Sequence, residues 1–243
     1  MNPLPQVNTL VIKVVICLFY TFAIQHNAAA QSLPDIIELE YEVTLGAAEL
    51  GGLSSKLIKL EDYYEATAET HTEGMASILL GGTVREYCRF TVDNNVVTPE
   101  SYRIVREGQD AFDRKVGFNW DERAVEFSNG EKITISDGYI VDNCSVPFAL
   151  IAGGASAFEN RVLHIVGGTK VRKFDNLGVS RERVKTALGE FDTVKIEQVR
   201  FERPDRKLTF WLAPDRHNLP VKIVEQRKSR LDTTMLLKSV KGL

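Results

Sequence analysis

The stretch Arg114–Ile135, RKVGFNWDERAVEFSNGEKITI, decides the fold class. Val116, Phe118 and Trp120, then Val125 and Phe127, then Ile133 and Ile135 recur at every second position. A strand throws successive side chains to opposite faces, so this spacing puts each set on one side of a sheet and leaves the other side wet. Asp121-Glu122 makes one corner. Asn129-Gly130 predicts a tight two-residue hairpin at the other, because such a turn needs positive φ values. Three strands joined in this way form a meander.

The same alternation extends outward in both directions. Upstream, Ile37, Leu39, Tyr41, Val43 and Leu45 interleave with Glu38, Glu40, Glu42 and Thr44, and Asp62 to His71 repeats the pattern more weakly. Downstream, strands are expected at Arg161 to Val166, Thr169 to Phe174, Phe191 to Phe201, Arg206 to Leu212, Pro220 to Glu225 and Thr233 to Val240. In Phe191 to Phe201 the apolar phase slips between Ile196 and Val199, which predicts a bulge near Glu197 and Gln198. Two apolar segments break the rhythm. Thr72 precedes Met75, Ile78, Leu79 and Leu80 and ends at Gly81-Gly82; Ser145 precedes Val146, Pro147, Phe148, Leu150 and Ile151 and ends at Gly153-Gly154. Both read as short helices. The expected fold is therefore mainly β, a curled antiparallel sheet of about ten strands forming an unclosed or half barrel, with two short helices plugging its concave side.

The 243 residues, 44% of them hydrophobic, suffice for an ordinary packed core. The N-terminal segment differs from the rest: Lys13, then the apolar run Val14 to Ile24, then Ala28, Ala29 and Ala30. That run is too short to cross a bilayer core of about 30 Å as a helix, and the alanines suit a signal peptidase. We expect residues 1–30 to act as a signal peptide cleaved after Ala30, leaving 31–243 as one soluble periplasmic domain without a membrane anchor. The formal net charge of −3, with no basic block, argues against nucleic acid as a partner. Cys88 and Cys144 follow the leader, and an oxidising compartment permits either a disulfide or two separate buried thiols.

No residue pattern specifies a reaction. His71, His164 and His217 form no HExxH or other close metal-binding pair, so neither a metal nor a cofactor is expected. Gly154-Ala155-Ser156-Ala157-Phe158 lacks the second glycine of a nucleophile elbow, and the glycine pairs lack the lysine of a phosphate-binding loop. Asp137, Asp142 and Asp175 stand outside the strand alternation and read as caps or turns. The chain is read as a non-enzyme. A cleft holding His164 or Asp142 beside another titratable group would reopen that question.

Phe210-Trp211-Leu212-Ala213-Pro214-Asp215-Arg216-His217-Asn218-Leu219-Pro220-Val221-Lys222-Ile223 resembles the C-terminal signature of the DUF3108 family of exported bacterial proteins. Leu188-Gly189-Glu190-Phe191-Asp192-Thr193-Val194, the Asp142-Asn143-Cys144-Ser145 step into a helix, and Tyr41 to Leu57 with Gly46 and Gly52 fit the same family. In architecture the expected fold is similar to the lipoprotein carriers LolA and LolB, whose unclosed barrel holds acyl chains under helical lids. The resulting expectation is a module binding a lipid, an acyl chain or another hydrophobic ligand in the cell envelope. Leu39, Tyr41, Met75, Leu79, Phe118, Trp120, Phe148, Phe210 and Leu212 are the candidate lining, with Trp211 on the opposite strand face. The alternative is a structural or interaction protein, its concavity filled by its own side chains, that docks an envelope protein partner.

Overall fold

The computed structural model describes residues 33–73, 82–108, 110–159, 161–228 and 230–243. The strands are β1 (Ile36–Leu45), β2 (Ala48–Lys59), β3 (Tyr64–Thr72), β4 (Val84–Asp93), β5 (Val96–Arg106), β6 (Phe112–Asn119), β7 (Ala124–Phe127) and β8 (Lys132–Thr134), followed by β9 (Tyr139–Asp142) and β10 (Leu163–Val166). Then come β11 (Val171–Thr186), β12 (Gly189–Arg200), β13 (Arg203–Ala213), β14 (Leu219–Arg227) and β15 (Thr233–Lys241). One helix, α1 (Val146–Gly153), and two single 3-10 turns complete the described elements.

All fifteen strands belong to one sheet, in the order β8-β7-β6-β5-β4-β3-β2-β1-β15-β14-β13-β12-β11-β10-β9. From β1 in the middle of the order, the chain steps outward by hairpins to one edge, crosses to the opposite edge, and steps back until β15 pairs with β1. Laid flat at about 4.8 Å per strand, fifteen strands would hold the two edges roughly 67 Å apart. The chain from Thr134 to Tyr139 can reach at most about 17 Å. The sheet must therefore coil until its edges nearly meet. Arg123 ties this connection down: its Nε donates to the Ile135 carbonyl at 2.9 Å, and Nη2 reaches that of Gly138 at 3.4 Å. Arg123→Gln is expected to cost about 2 kcal/mol, the range for hydrogen bonds from a charged donor, as read by urea denaturation. An unchanged midpoint would show that the edges hold without it.

The inside of the coil is filled by the chain itself. β9 and β10 pair in parallel, as a helical crossover requires, and every residue of both is buried. That explains why Tyr139-Ile140-Val141 is apolar without alternation: both faces are covered. α1 is buried on all sides from Val146 to Ala152. Pro147 fits its first turn, and Gly154 at φ +58° closes it by donating its N–H to the Leu150 carbonyl at 2.8 Å. Phe148 stacks on Phe90 at 6.0 Å, and Phe90 on Tyr64 at 5.7 Å, which fixes the helix to β4 and β3.

The mainly β, unclosed, curled architecture agrees with the sequence reading, but the sheet is mixed and not wholly antiparallel, because β9 and β10 pair in parallel around the helical crossover. Three further details depart from it. First, the described residues contain fifteen strands, not about ten. β2, β4, β5 and β9 lacked a clean alternation: β2 carries Gly51-Gly52 and Ser54-Ser55, and β4 puts Glu86 in an apolar phase. A turn signal was present for β4 and β5, since Asn94 and Asn95 both take positive φ, 48° and 64°, as a two-residue hairpin demands. Second, the described residues contain one helix; the other expected helix, with Met75 and Leu79, lies outside them. Third, the Asn129-Gly130 corner is wider than two residues, spanning 128–131 with positive φ at Gly130. The bulge expected near Glu197 and Gln198 occurs at that level of the ladder, with the extra residue, Leu177, on the partner strand between Asn176 and Gly178.

Candidate ligand-binding cavity

α1 fills only part of the trough. Beyond its first turn, between the inner faces of β2–β4 and β10–β15, lies a cavity of about 280 Å³. Val146 and Pro147 form its floor, and Leu53 and Thr70 one wall. Ile165, Phe174, Leu208, Phe210, Ile223 and Met235 form the facing wall. Direct pairing fixes their common facing: Phe210 lies opposite Ile223, Ile223 opposite Met235, and Leu208 opposite Glu225. Depressions of about 450 and 470 Å³ exist on the outer face, but charged side chains enter their lining, such as the Lys56–Glu38 pair (3.0 Å) in the first and Arg89, Arg103 and Lys115 in the second.

One corner of the inner cavity is polar. Glu86, Asn143, Arg172 and Glu225 enter the lining. The Tyr102 hydroxyl donates to Glu86 Oε1 at 2.8 Å, the Asn143 amide reaches both groups at 3.5 Å, and Arg172 Nη2 donates to Asn143 Oδ1. Burial pushes the Glu86 carboxyl up from its ordinary range, against the lowering effect of these hydrogen bonds. Burial likewise raises Tyr102 and lowers Arg172, with Glu225 opposing the shift of Arg172.

Behind Asn143 the helix entry is locked. Asp142 is fully buried; Ser145 donates to it through its N–H and its hydroxyl, both at 2.9 Å, and the Asp142 N–H donates back to Ser145 Oγ at 3.0 Å. Burial pushes the Asp142 carboxyl up to about 7. Cys144 is disulfide-bonded to Cys88 on β4, with the Cα atoms 5.9 Å apart. Cys88, Asp142 and Cys144 bring possible ligand atoms within 4.8 Å of one another, but sulfurs bonded to each other offer no thiolate to a metal.

The family described as Protein of unknown function (DUF3108) matches residues 40–229. The chain belongs to the DUF3108 family. No curated protein matches it. Among solved structures it is similar to the crystal structure of a beta-barrel-like protein of the domain of unknown function DUF1849 from Brucella abortus, at 10% identity and a TM-score of 0.53. That likeness covers 86% of this chain and 98% of the other, and it concerns the fold alone.

In this DUF3108 chain, the structure places Phe210, among the candidate lining residues, in the cavity wall. Leu39, Tyr41, Phe148 and Leu212 are inward but belong to packed core, and the Tyr41 hydroxyl is spent on the Pro220 carbonyl at 2.8 Å. Phe118 and Trp120 stack on each other at 6.2 Å toward the β8 edge, where Trp120 Nε1 donates to the Pro99 carbonyl at 2.7 Å; neither lines the cavity. Met75 and Leu79 lie outside the described residues. Trp211 does face away from Phe210, between Lys222 and Lys195 at 4.5 and 5.5 Å. His164 is nearly buried 3.6 Å from Asp137; burial lowers its pKa, and the backbone places it on the other side of β10 from Ile165. The polar corner was missed. Its signal was a charge standing in the apolar phase of a strand, as at Glu86 before Cys88 and Phe90, and at Glu225 after Val221 and Ile223. No helix among the described residues is long and apolar enough to cross a membrane.

Proposed function

We propose that this protein is exported to the periplasm, where it holds a single hydrophobic or amphiphilic ligand, such as one acyl chain, without chemically altering it. The supporting observation is the inner cavity: about 280 Å³, close to the lower end of the volumes that take small ligands, with an apolar wall running from Leu53 to Phe210 and a polar corner at one end. Purified protein is expected to take up a dansyl-labelled undecanoic acid saturably and with one-to-one stoichiometry. Leu208→Trp, which places bulk into the lining at a half-buried position, should weaken that uptake about tenfold, the scale of a 1–3 kcal/mol overpacking cost. Absence of saturable uptake, together with no co-purifying lipid in native mass spectrometry, would overturn the reading.

One observation favours docking of an envelope protein instead. β10 pairs with β11 only through Val171–Phe174, so residues 175–186 of β11 have no strand on their outer edge among the described residues. Leu177 and Val179 are exposed there, at 52% and 39%. An extended partner segment could add to this edge. Retention of an envelope protein that is insensitive to Leu208→Trp would support docking over ligand holding.

A further inference from the structure

We infer that the head of the ligand is anionic, and that Arg172, Gln198 and Arg206, on three adjacent strands, form the site that receives it. This rests on the ligand-holding reading and adds the chemical class. Register places all three on the cavity side of the sheet. Arg172 of β11 lies opposite Ile165 and itself lines the cavity. Gln198 of β12 lies directly opposite the lining residue Leu208, and Arg206 of β13 stands two positions before Leu208 on the same face.

The state of their polar atoms is the second observation. Gln198 is 0% exposed, and neither its Nε2 nor its Oε1 has a hydrogen-bond partner. Nε of Arg172 and Nε of Arg206 are also buried and unpartnered. Buried donors are almost always satisfied, and each one left unmade costs as much as the desolvation of the group. Three such side chains on neighbouring strands match one ligand with several acceptor oxygens.

Charge points the same way. On β11–β14, four guanidinium groups share the inner face, those of Arg172, Arg200, Arg206 and Arg227, since Arg200 lies opposite Phe174 and Arg206 opposite Arg227. Arg227 is engaged by Glu225 at 3.0 Å and Arg200 by Glu202 at 3.5 Å. Glu86 is held by Tyr102 and Asn143. The surplus is positive, and the apolar wall of Phe210 and Ile223 begins beside it. A carboxylate or phosphate joined to a hydrocarbon chain satisfies both halves at once. A free anion would leave the apolar half unused.

The test displaces the dansyl probe with dodecanoate, dodecanol and inorganic phosphate in turn. Dodecanoate is expected to bind at least about tenfold more tightly than dodecanol, and phosphate to displace nothing at millimolar concentration. Arg206→Gln should erase the preference by weakening dodecanoate about tenfold while leaving dodecanol within about twofold. Gln198→Leu should move two readouts in opposite senses: a higher melting temperature, because an unsatisfied buried amide is gone, and weaker dodecanoate binding. Equal binding of dodecanoate and dodecanol would overturn the head assignment and leave the ligand-holding reading standing. Binding of neither would remove both. Displacement by phosphate as effective as by dodecanoate would make this a free-anion site, and equal loss of both chain ligands in Arg206→Gln would mark the arginine as structural; either result overturns the inference.

Discussion

Reduction of the Cys88–Cys144 bridge, or the double replacement Cys88→Ser/Cys144→Ser, is expected to lower the melting temperature by about 10 °C. The bond links residues 56 apart in sequence. Removing such a constraint restores unfolded-chain entropy worth about 4 kcal/mol near room temperature. In a chain of this size each kcal/mol shifts the midpoint by about 2–4 °C. The location matters as much as the loop length. Cys144 stands immediately before α1, and Cys88 lies on the inner face of β4 between Ala66 and Tyr102, so the bond holds the buried helix entry against the sheet wall. Loss of the bridge should therefore also loosen the polar corner that Asn143 helps to build. Calorimetry with and without a phosphine reductant reads the first effect, and a shift below about 2 °C would show that packing alone fixes the helix.

The contribution of Asp142 to stability is expected to fall as pH rises from about 4 to 7, against the opposite contribution of buried His164, so that Asp142→Asn should shift the pH slope of stability upward. The Asp142 carboxyl lies at about 7 in the fold against an ordinary value of 3.8, with burial as the main cause. Between these values the folded protein holds a proton that the unfolded chain releases, so each rise in pH favours unfolding. Below the lower value both states are protonated and the full stability is present; above about 7 both are ionised and the loss is complete. At about 1.4 kcal/mol per unit the loss is at most about 4 kcal/mol. Glu86, also raised by burial, adds in the same direction. Asparagine keeps an oxygen for the Ser145 N–H and an amide for its hydroxyl, which separates charge from shape. Equal melting-temperature slopes in the two proteins between pH 5 and 8 would sink this assignment.

The positions of Asp142 and Glu86 show what could be read early and what could not. Asp142-Asn143-Cys144-Ser145 was legible as a helix entry, because an Asp and a Ser three residues apart satisfy each other's backbone groups locally. Its complete burial was not, since that depends on the coil of strands around it. Glu86 looked like one more strand carboxylate, and only the ladder to Ala68 and Ile104 shows that it faces inward. The same limit applies to Phe118 and Trp120. Their alternation was read correctly, yet they pack near the β8 edge while Phe210, with the same pattern, reaches the cavity.

The sequence by itself determined the local directions: which residues of β1, β6, β7 and β13–β15 turn inward, where Gly154 stops the helix, and that one face of the sheet had to be covered. Periodicity acts over a few residues and is written in the order of the chain. Tertiary structure alone decided that β8 and β9, four residues apart in sequence, stand at opposite edges of a fifteen-stranded coil, and that β9, α1 and β10 fill one part of it while leaving another open. Those outcomes depend on the short 135–138 connection, the Cys88–Cys144 bond and the volume of α1 acting together across the whole chain. Such long-range constraints are met only when every strand is in place.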